Sequence, residues 1–241
     1  MLEAVSAFKA YDIRGIAGVD ITTDFSRRLG SAIVEFTQAT SIAVGRDIRA
    51  SGESLKAALI QGIVESGCTV MDLGIVPTGV VYRSTVDMDV DSAIAITASH
   101  NPPEYNGFKI MHEGLPVAGG DLQRLKAIFE SPSQGKSNSQ GTILSKSEYH
   151  HTVIDAIVQD VGPLSRRVRV AVDSANAVPG PFMVELCDKL GVDLVDLNCS
   201  WDHESPAHPA DPTRPENMTQ LSDLVANSDC EFGIGVDGDG D

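Results

Sequence analysis

Ala93-Ile-Ala-Ile-Thr-Ala-Ser-His-Asn-Pro-Pro-Glu-Tyr-Asn-Gly-Phe-Lys109 is the stretch on which the fold turns. Its first four residues form a short apolar run of strand type, which breaks abruptly into a hydroxyl, an imidazole, amides, two prolines and a lysine. A strand therefore delivers Ser99 to a stiff polar loop, with His100 beside it and Lys109 further along. Pro102-Pro103 restricts the loop, and Asn101 and Asn106-Gly107 suit turn conformations. The set supplies a candidate nucleophile or phosphate carrier, a proton-transfer group and a cation for developing negative charge.

Outward from this loop, helical and strand patterns alternate. Phe25, Leu29, Ile33 and Phe36 recur at helical spacing after a cap-like Thr23-Asp24. Leu55, Leu59 and Ile63 mark a helix begun near Ser51 and closed by Gly67, and Pro77 initiates another that carries Val80, Val81 and Ser84. Ser41 to Val44 and Thr69 to Leu73 are strand-like, and Leu122, Leu125, Ile128 and Phe129 predict a helix. The polar tract Ser131 to Thr142 is the least core-like stretch, so a boundary is expected near residue 145, dividing the chain into 1–145 and 146–241. The alternation then restarts. Helices through Val153, Ile157 and Val161, over Val184 to Leu190, and from Pro215 through Leu221, Leu224 and Val225 are interleaved with strands Val168 to Val172, Leu194 to Leu197 and Phe232 to Val236. Such alternation predicts α/β sheets covered on both faces, with ligand loops beyond the carboxyl ends of strands.

The last strand runs directly into Asp237-Gly-Asp-Gly-Asp241. Glycines between the acids let a tight turn aim Asp237, Asp239 and Asp241 at one point. Hard anionic oxygens packed together call for a divalent cation such as Mg²⁺, Mn²⁺ or Ca²⁺ rather than zinc. A solvated acidic turn is the plainer alternative. An EF-hand fits poorly, because a β-type run precedes the acids where that loop needs a helix. Ser99 taken alone is a loop-capping serine, but its neighbours favour a phosphoserine. There is no G-x-S-x-G elbow, and a phosphoryl group would bring roughly −1.5 to −2 charge for the cation to neutralise. Two arginine-bearing stretches, Phe8-Lys-Ala-Tyr-Asp-Ile-Arg-Gly15 and Val44-Gly-Arg-Asp-Ile-Arg-Ala-Ser-Gly52, offer bidentate phosphate ligands. Arg14 suits an anion pocket, whereas Arg46 is as readily an ion-pair or loop-capping residue.

Composition narrows the class. With 42% hydrophobic and 22% charged residues and a formal net charge of −16, the chain is an ordinary globular one with no basic surface for nucleic acid or anionic membrane. Cys68, Cys187, Cys199 and Cys230 show no C-x-x-C pairing and are expected to be buried reduced thiols. No leader-like N-terminus and no run long enough to span a bilayer is present, so the expected location is the cytoplasm.

On these motifs, in this order, the sequence resembles the α-D-phosphohexomutase family, especially its phosphomannomutase/phosphoglucomutase branch. Phe8 to Gly15 looks like the family's opening loop, Val44 to Ser51 its second motif, Thr97 to Lys109 its phosphoserine loop and Asp237 to Asp241 its metal loop. The resemblance implies two consecutive α/β/α sandwich domains with mixed, mostly parallel sheets. It also implies transfer of phosphate between C1 and C6 of a hexose phosphate through a bisphosphate intermediate. Ser99 would carry the phosphoryl group, and Asp237, Asp239 and Asp241 would hold one Mg²⁺ against it, with Ser99 completing the site. His100 and Lys109 would assist proton transfer and charge stabilisation, and Tyr11 and Arg14 would line the transfer site. A bisphosphorylated hexose is the implied activator. Ala177 stands where the family commonly has glycine, which suggests a local backbone adjustment. Family members continue past the acidic loop with an arginine and two further domains, so the chain is expected to be the N-terminal half, and poorly active alone. Phosphoglucosamine mutase, less like Glu104-Tyr105 and Phe108, and a non-catalytic metal- or phosphate-binding module are the alternatives.

Overall fold

A helix with one apolar stripe and a strand buried on both faces each need a partner surface, and the chain meets that need in two sheets. The computed structural model describes residues 7–132 and 139–241; residues 133–138 of the polar tract lie outside them. The first part contains β1 (Ile13–Ile16), α1 (Thr23–Thr37), β2 (Ser41–Arg46), α2 (Gly52–Glu65), β3 (Thr69–Ile75), α3 (Thr78–Asp87), β4 (Ser92–Ile96), β5 (Tyr105–His112), β6 (Leu115–Pro116) and α4 (Gly119–Glu130). After the tract come β7 (Ile143–Ser145), α5 (Tyr149–Val161), β8 (Arg169–Asp173), α6 (Pro179–Leu190), β9 (Asp193–Leu197), α7 (Thr219–Ala226) and β10 (Phe232–Gly235).

The larger sheet runs β1-β5-β4-β2-β3-β7, with β6 alongside β5. Strands β4, β2, β3 and β7 are parallel, and β5 is antiparallel to both β4 and β1. The smaller sheet, β10-β8-β9, is parallel throughout. Period-two alternation sorts the strand residues onto two faces. Ile42, Val44, Ile94 and Ile96 face α1, α2 and α4 in one apolar cluster, while Ala43, Ala93 and Ala95 face Val80, Val81, Tyr149 and Val153 of α3 and α5 in another. The second sheet repeats the plan, with Val170 and Val172 under α6 and Ala171 under Leu221 of α7. The expected α/β class with a mixed, mainly parallel sheet is the observed one.

Four differences from the sequence expectation have local causes. The second half of the Thr97–Lys109 loop is strand, because Tyr105 to His112 forms β5 and places Lys109 opposite Ala95. Its buried positions include Asn106 and Gly107, so the apolar alternation that betrays a strand is missing. Part of the opening basic stretch is likewise strand, with Arg14 of β1 opposite Gly107. The cap of α1 lies one residue earlier than Thr23, at Thr22, whose hydroxyl accepts from Phe25 N at 3.1 Å. Finally, Ile143 to Ser145, where the sequence expectation has no strand, form β7 and pair with β3; all three are exposed, so no apolar pattern marks them.

All four cysteines are free and buried, and burial pushes the Cys68 thiol up to about 12. Among the described residues no helix is long and apolar enough to cross a membrane. Helices α1 and α2 pack at unusually close range. A Cβ on Gly62 would lie 1.9 Å from the Arg27 carbonyl oxygen, and one on Gly30 would lie 2.3 Å from that of Leu59. Gly62→Ala should therefore destabilise the protein by about 1–3 kcal/mol through overpacking, although alanine is intrinsically the better helix residue by ~1 kcal/mol. Equilibrium urea unfolding checks this; a variant as stable as wild type would show that the helices do not need the contact.

Candidate active site

Beyond Ile96 the chain leaves the sheet through Thr97-Ala98 and turns sharply at Ser99, which has φ 53°, a left-handed conformation that non-glycine residues seldom adopt. The hydroxyl of Thr97 accepts from Ser99 N at 2.9 Å and fixes one side of the turn. Beyond β10, residues 237–241 form a second turn that closes on its own first carboxylate. Gly240 N and Asp241 N donate to Oδ1 of Asp237 at 2.9 and 3.1 Å, and Gly240 supplies φ 78°. The two turns abut so closely that a Cβ on Gly238 would sit 2.3 Å from the Ser99 carbonyl oxygen. Only glycine permits this approach.

The contact puts Ser99 against the acidic loop. Its Oγ donates to Oδ2 of Asp237 at 2.6 Å and lies 3.2 Å from Nδ1 of His100. Since the single hydroxyl proton points at Asp237, His100 is the donor in the second contact. Lys109 extends from β5 to bridge the remaining acids, with Nζ 2.9 Å from Asp239 and 2.5 Å from Asp241. Thr78, at the start of α3, grips Asp239 twice: Oγ1 donates to the carboxylate at 2.6 Å and the backbone N to the carbonyl at 2.9 Å. Burial, then Asp239, pushes the Asp237 carboxyl above its ordinary value. Burial acts the same way on Asp239, but the Lys109 ammonium and the Thr78 hydroxyl outweigh it and hold that carboxyl low. Lys109 in turn is desolvated, yet its acidic neighbours raise it.

This donor set fits a hard divalent cation. It is all oxygen, the three aspartates offer atoms within 4.8 Å of one another, and Oδ1 of Asp239 is buried with no hydrogen-bond partner among the described residues. A buried carboxylate oxygen left bare is expensive unless a cation takes it. The preceding element is the strand β10, not the helix that an EF-hand needs.

The remaining expected residues divide. Arg14 reaches the serine loop: Nη1 donates to Oδ1 of Asn101 at 2.6 Å, Nη2 to Asp12 at 2.5 Å, and Nε is buried without a partner among the described residues. Tyr11 is 82% exposed and makes no hydrogen bond to the cluster among the described residues. Arg46 bonds Glu53 through Nε and Nη2 and the Asp47 carbonyl through Nη1, an ion-pair and loop-capping role. Sequence inspection missed Thr78, Asp47 and Arg49. The last two lie in a quoted motif, but their partners are largely backbone atoms that no residue pattern displays.

Sequence comparison gives two family matches in chain order: "Phosphoglucomutase/phosphomannomutase, alpha/beta/alpha domain I" over residues 5–136 and the corresponding domain II over residues 148–241. The chain belongs to the phosphoglucomutase/phosphomannomutase family. It is 38% identical over 240 residues to a phosphoglucomutase of Neisseria meningitidis and 37% identical over 242 residues to a phosphomannomutase/phosphoglucomutase of Pseudomonas aeruginosa. These alignments cover 97% and 98% of this chain and 51% of each relative, so the chain spans about half the length of the curated relatives it matches. A crystal structure of a phosphoglucomutase/phosphomannomutase family protein from Burkholderia thailandensis superposes with a TM-score of 0.90 at 34% identity, covering 98% of this chain and 53% of that one. At Ala177, where a local backbone adjustment is expected, the backbone is not left-handed; the positive φ values fall on Ala175 (47°) and Asn176 (57°).

Thr78→Val should remove the hydroxyl donor from buried Asp239 Oδ2, leaving that oxygen to Lys109 Nζ at 2.9 Å, and lower stability by about 1–3 kcal/mol. Chemical denaturation without divalent ions measures this directly. An unchanged midpoint would mean that Thr78 does not hold the acidic turn.

Proposed function

We propose that this chain carries the phosphoryl-transfer centre of a phosphohexomutase of the phosphomannomutase/phosphoglucomutase type, which moves phosphate between C1 and C6 of a hexose phosphate. The observation that carries the proposal is Ser99 Oγ lying 2.6 Å from Asp237, beside an acidic turn bridged by Lys109. Phospho-Ser99 passes its group to a sugar hydroxyl: the Oγ–P bond breaks as the new O–P bond forms, and the hydroxyl proton passes to water, from which His100 regains the proton it gives to Oγ. The freed Oγ takes a proton, for which His100 at 3.2 Å is within reach. Lys109 and Arg14 face the charge that develops on the phosphoryl oxygens, an electrostatic role suited to a transition state with little covalent demand. The exposed Tyr11 joins them as a wall of the transfer site.

Asp237, Asp239 and Asp241 would hold one Mg²⁺, with the Ser99 oxygen or its phosphate completing the set. When bound, the ion supplies neutralisation of phosphoryl charge. A bisphosphorylated hexose is the group donor that primes Ser99. The names of the relatives favour glucose and mannose phosphates over a glucosamine phosphate. The proposed units are 1–145, bearing the serine loop, and 146–241, bearing the metal loop. Four buried free thiols suit a reducing cytoplasmic setting.

Because the chain spans about half of its relatives, the decisive test reads the half-reaction at Ser99 rather than turnover. Incubated with glucose 1,6-bisphosphate and Mg²⁺, the wild type should gain one phosphoryl group at Ser99 by intact-mass and peptide analysis. Ser99→Ala should gain none, and Asp239→Asn should slow the transfer by about 10²–10³-fold. No phosphate on the wild type, or equal phosphate on Ser99→Ala, would favour the non-catalytic binding module.

A further inference from the structure

Arg49 sits in the turn between β2 and α2, outside the acidic cluster, and every donor it owns is committed. Nε donates to Oδ2 of Asp47 at 3.0 Å. Nη1 donates to the carbonyls of Pro102 at 2.7 Å and Tyr105 at 3.0 Å, and Nη2 to those of Ser99 and Asn101, each at 2.7 Å. A guanidinium has five N–H bonds, and here five acceptors meet them. No donor remains for a substrate phosphate. Arg14 differs, since its buried Nε has no partner among the described residues.

The base of this clamp is also fixed. The Asp47 carboxylate is buried, accepts from Arg49 N at 3.0 Å through Oδ1, and its residue's own N–H donates to Ile96 O, the end of β4, at 3.0 Å. The strand that launches the serine loop and the arginine that gathers its carbonyls are thereby tied to one anchor. The consequence falls on Ser99. Its left-handed backbone persists only if the surroundings over-determine it. Thr97 Oγ1 holds its N–H and Arg49 holds its carbonyl, so the peptide groups on both sides of its α-carbon are pinned. That same carbonyl oxygen is the atom against which Gly238 packs.

We propose that Arg49 is a positioning residue for phosphoryl transfer, presetting the Ser99 loop and, through the Ser99 carbonyl, the approach of the acidic turn. The transfer part of this proposal rests on the phosphohexomutase reading; the clamp itself does not. Lysine cannot substitute, because an ammonium has three donors and no planar fork.

Three measurements on the 241-residue chain test it. In wild type, ¹⁵N spectra of the Arg49 side chain should show separate, exchange-protected Nη signals that do not shift when inorganic phosphate is added; averaged or phosphate-shifted signals would overturn the clamp without any variant. In Arg49→Lys, with Arg49→Gln as the second variant, amide exchange over residues 99–106 should accelerate at least about tenfold while the central strands keep wild-type protection. Single-turnover phosphorylation of Ser99 by glucose 1,6-bisphosphate should fall about 10²-fold at saturation, with the half-saturating concentration changed less than about threefold. Wild-type loop exchange in the variant refutes the clamp. A wild-type transfer rate, or a loss confined to the half-saturating concentration, refutes positioning. If the wild type itself takes no phosphate, the mutase reading and the transfer half of the proposal fall, and the spectra and exchange alone judge the clamp.

Discussion

Two turns from two different sheets occupy nearly the same space, and the absence of a side chain at Gly238 is what allows it. Any Cβ there would strike the Ser99 carbonyl oxygen at 2.3 Å. Because the turns touch, Ser99 Oγ reaches Asp237, Lys109 reaches Asp239 and Asp241, and Thr78 reaches Asp239 from the first turn of α3. Each pair joins residues at least 130 positions apart in the chain. Three carboxylates crowded into one turn repel, and the cationic and hydroxyl groups that the first sheet brings to them, with the turn's own N–H groups on Asp237, offset that repulsion.

The arginines around the serine loop divide the work by how many of their donors are already used. Arg49 is saturated by backbone carbonyls and by a buried carboxylate, so it acts as a structural cation. Arg46 is tied to Glu53 and to a carbonyl. Arg14 touches the loop at Asn101 yet keeps a buried Nε without a partner among the described residues. In a chain of net charge −16, attraction for a phosphate depends on such local groups, since the global field opposes it.

Much of the fold is legible along the chain because its strands and helices are short, regular and separated by strong turn signals. The runs that ended in Ile96 and Val236 stand out as apolar segments with chemistry behind them. Strands β1 and β5 do not stand out. Arg14, Asn106 and Gly107 occupy positions where a pattern reader looks for apolar residues, since these strands serve the site as well as the core. Strand β7 is three exposed residues and reads as part of the linker, although it completes the edge of the first sheet.

The sequence by itself determined the α/β class, the two loops at strand ends, and the chemical identity of Ser99, His100, Lys109 and the three aspartates, because spacing and residue type survive without a structure. Tertiary structure alone decided that Ser99 is left-handed, that Lys109 lies on a strand, that Tyr11 stays exposed, and that Thr78 and Arg49 hold the two turns. The reason is physical. These outcomes depend on backbone carbonyls and close approaches between distant segments, and a backbone carbonyl looks the same in every residue until the fold points it somewhere.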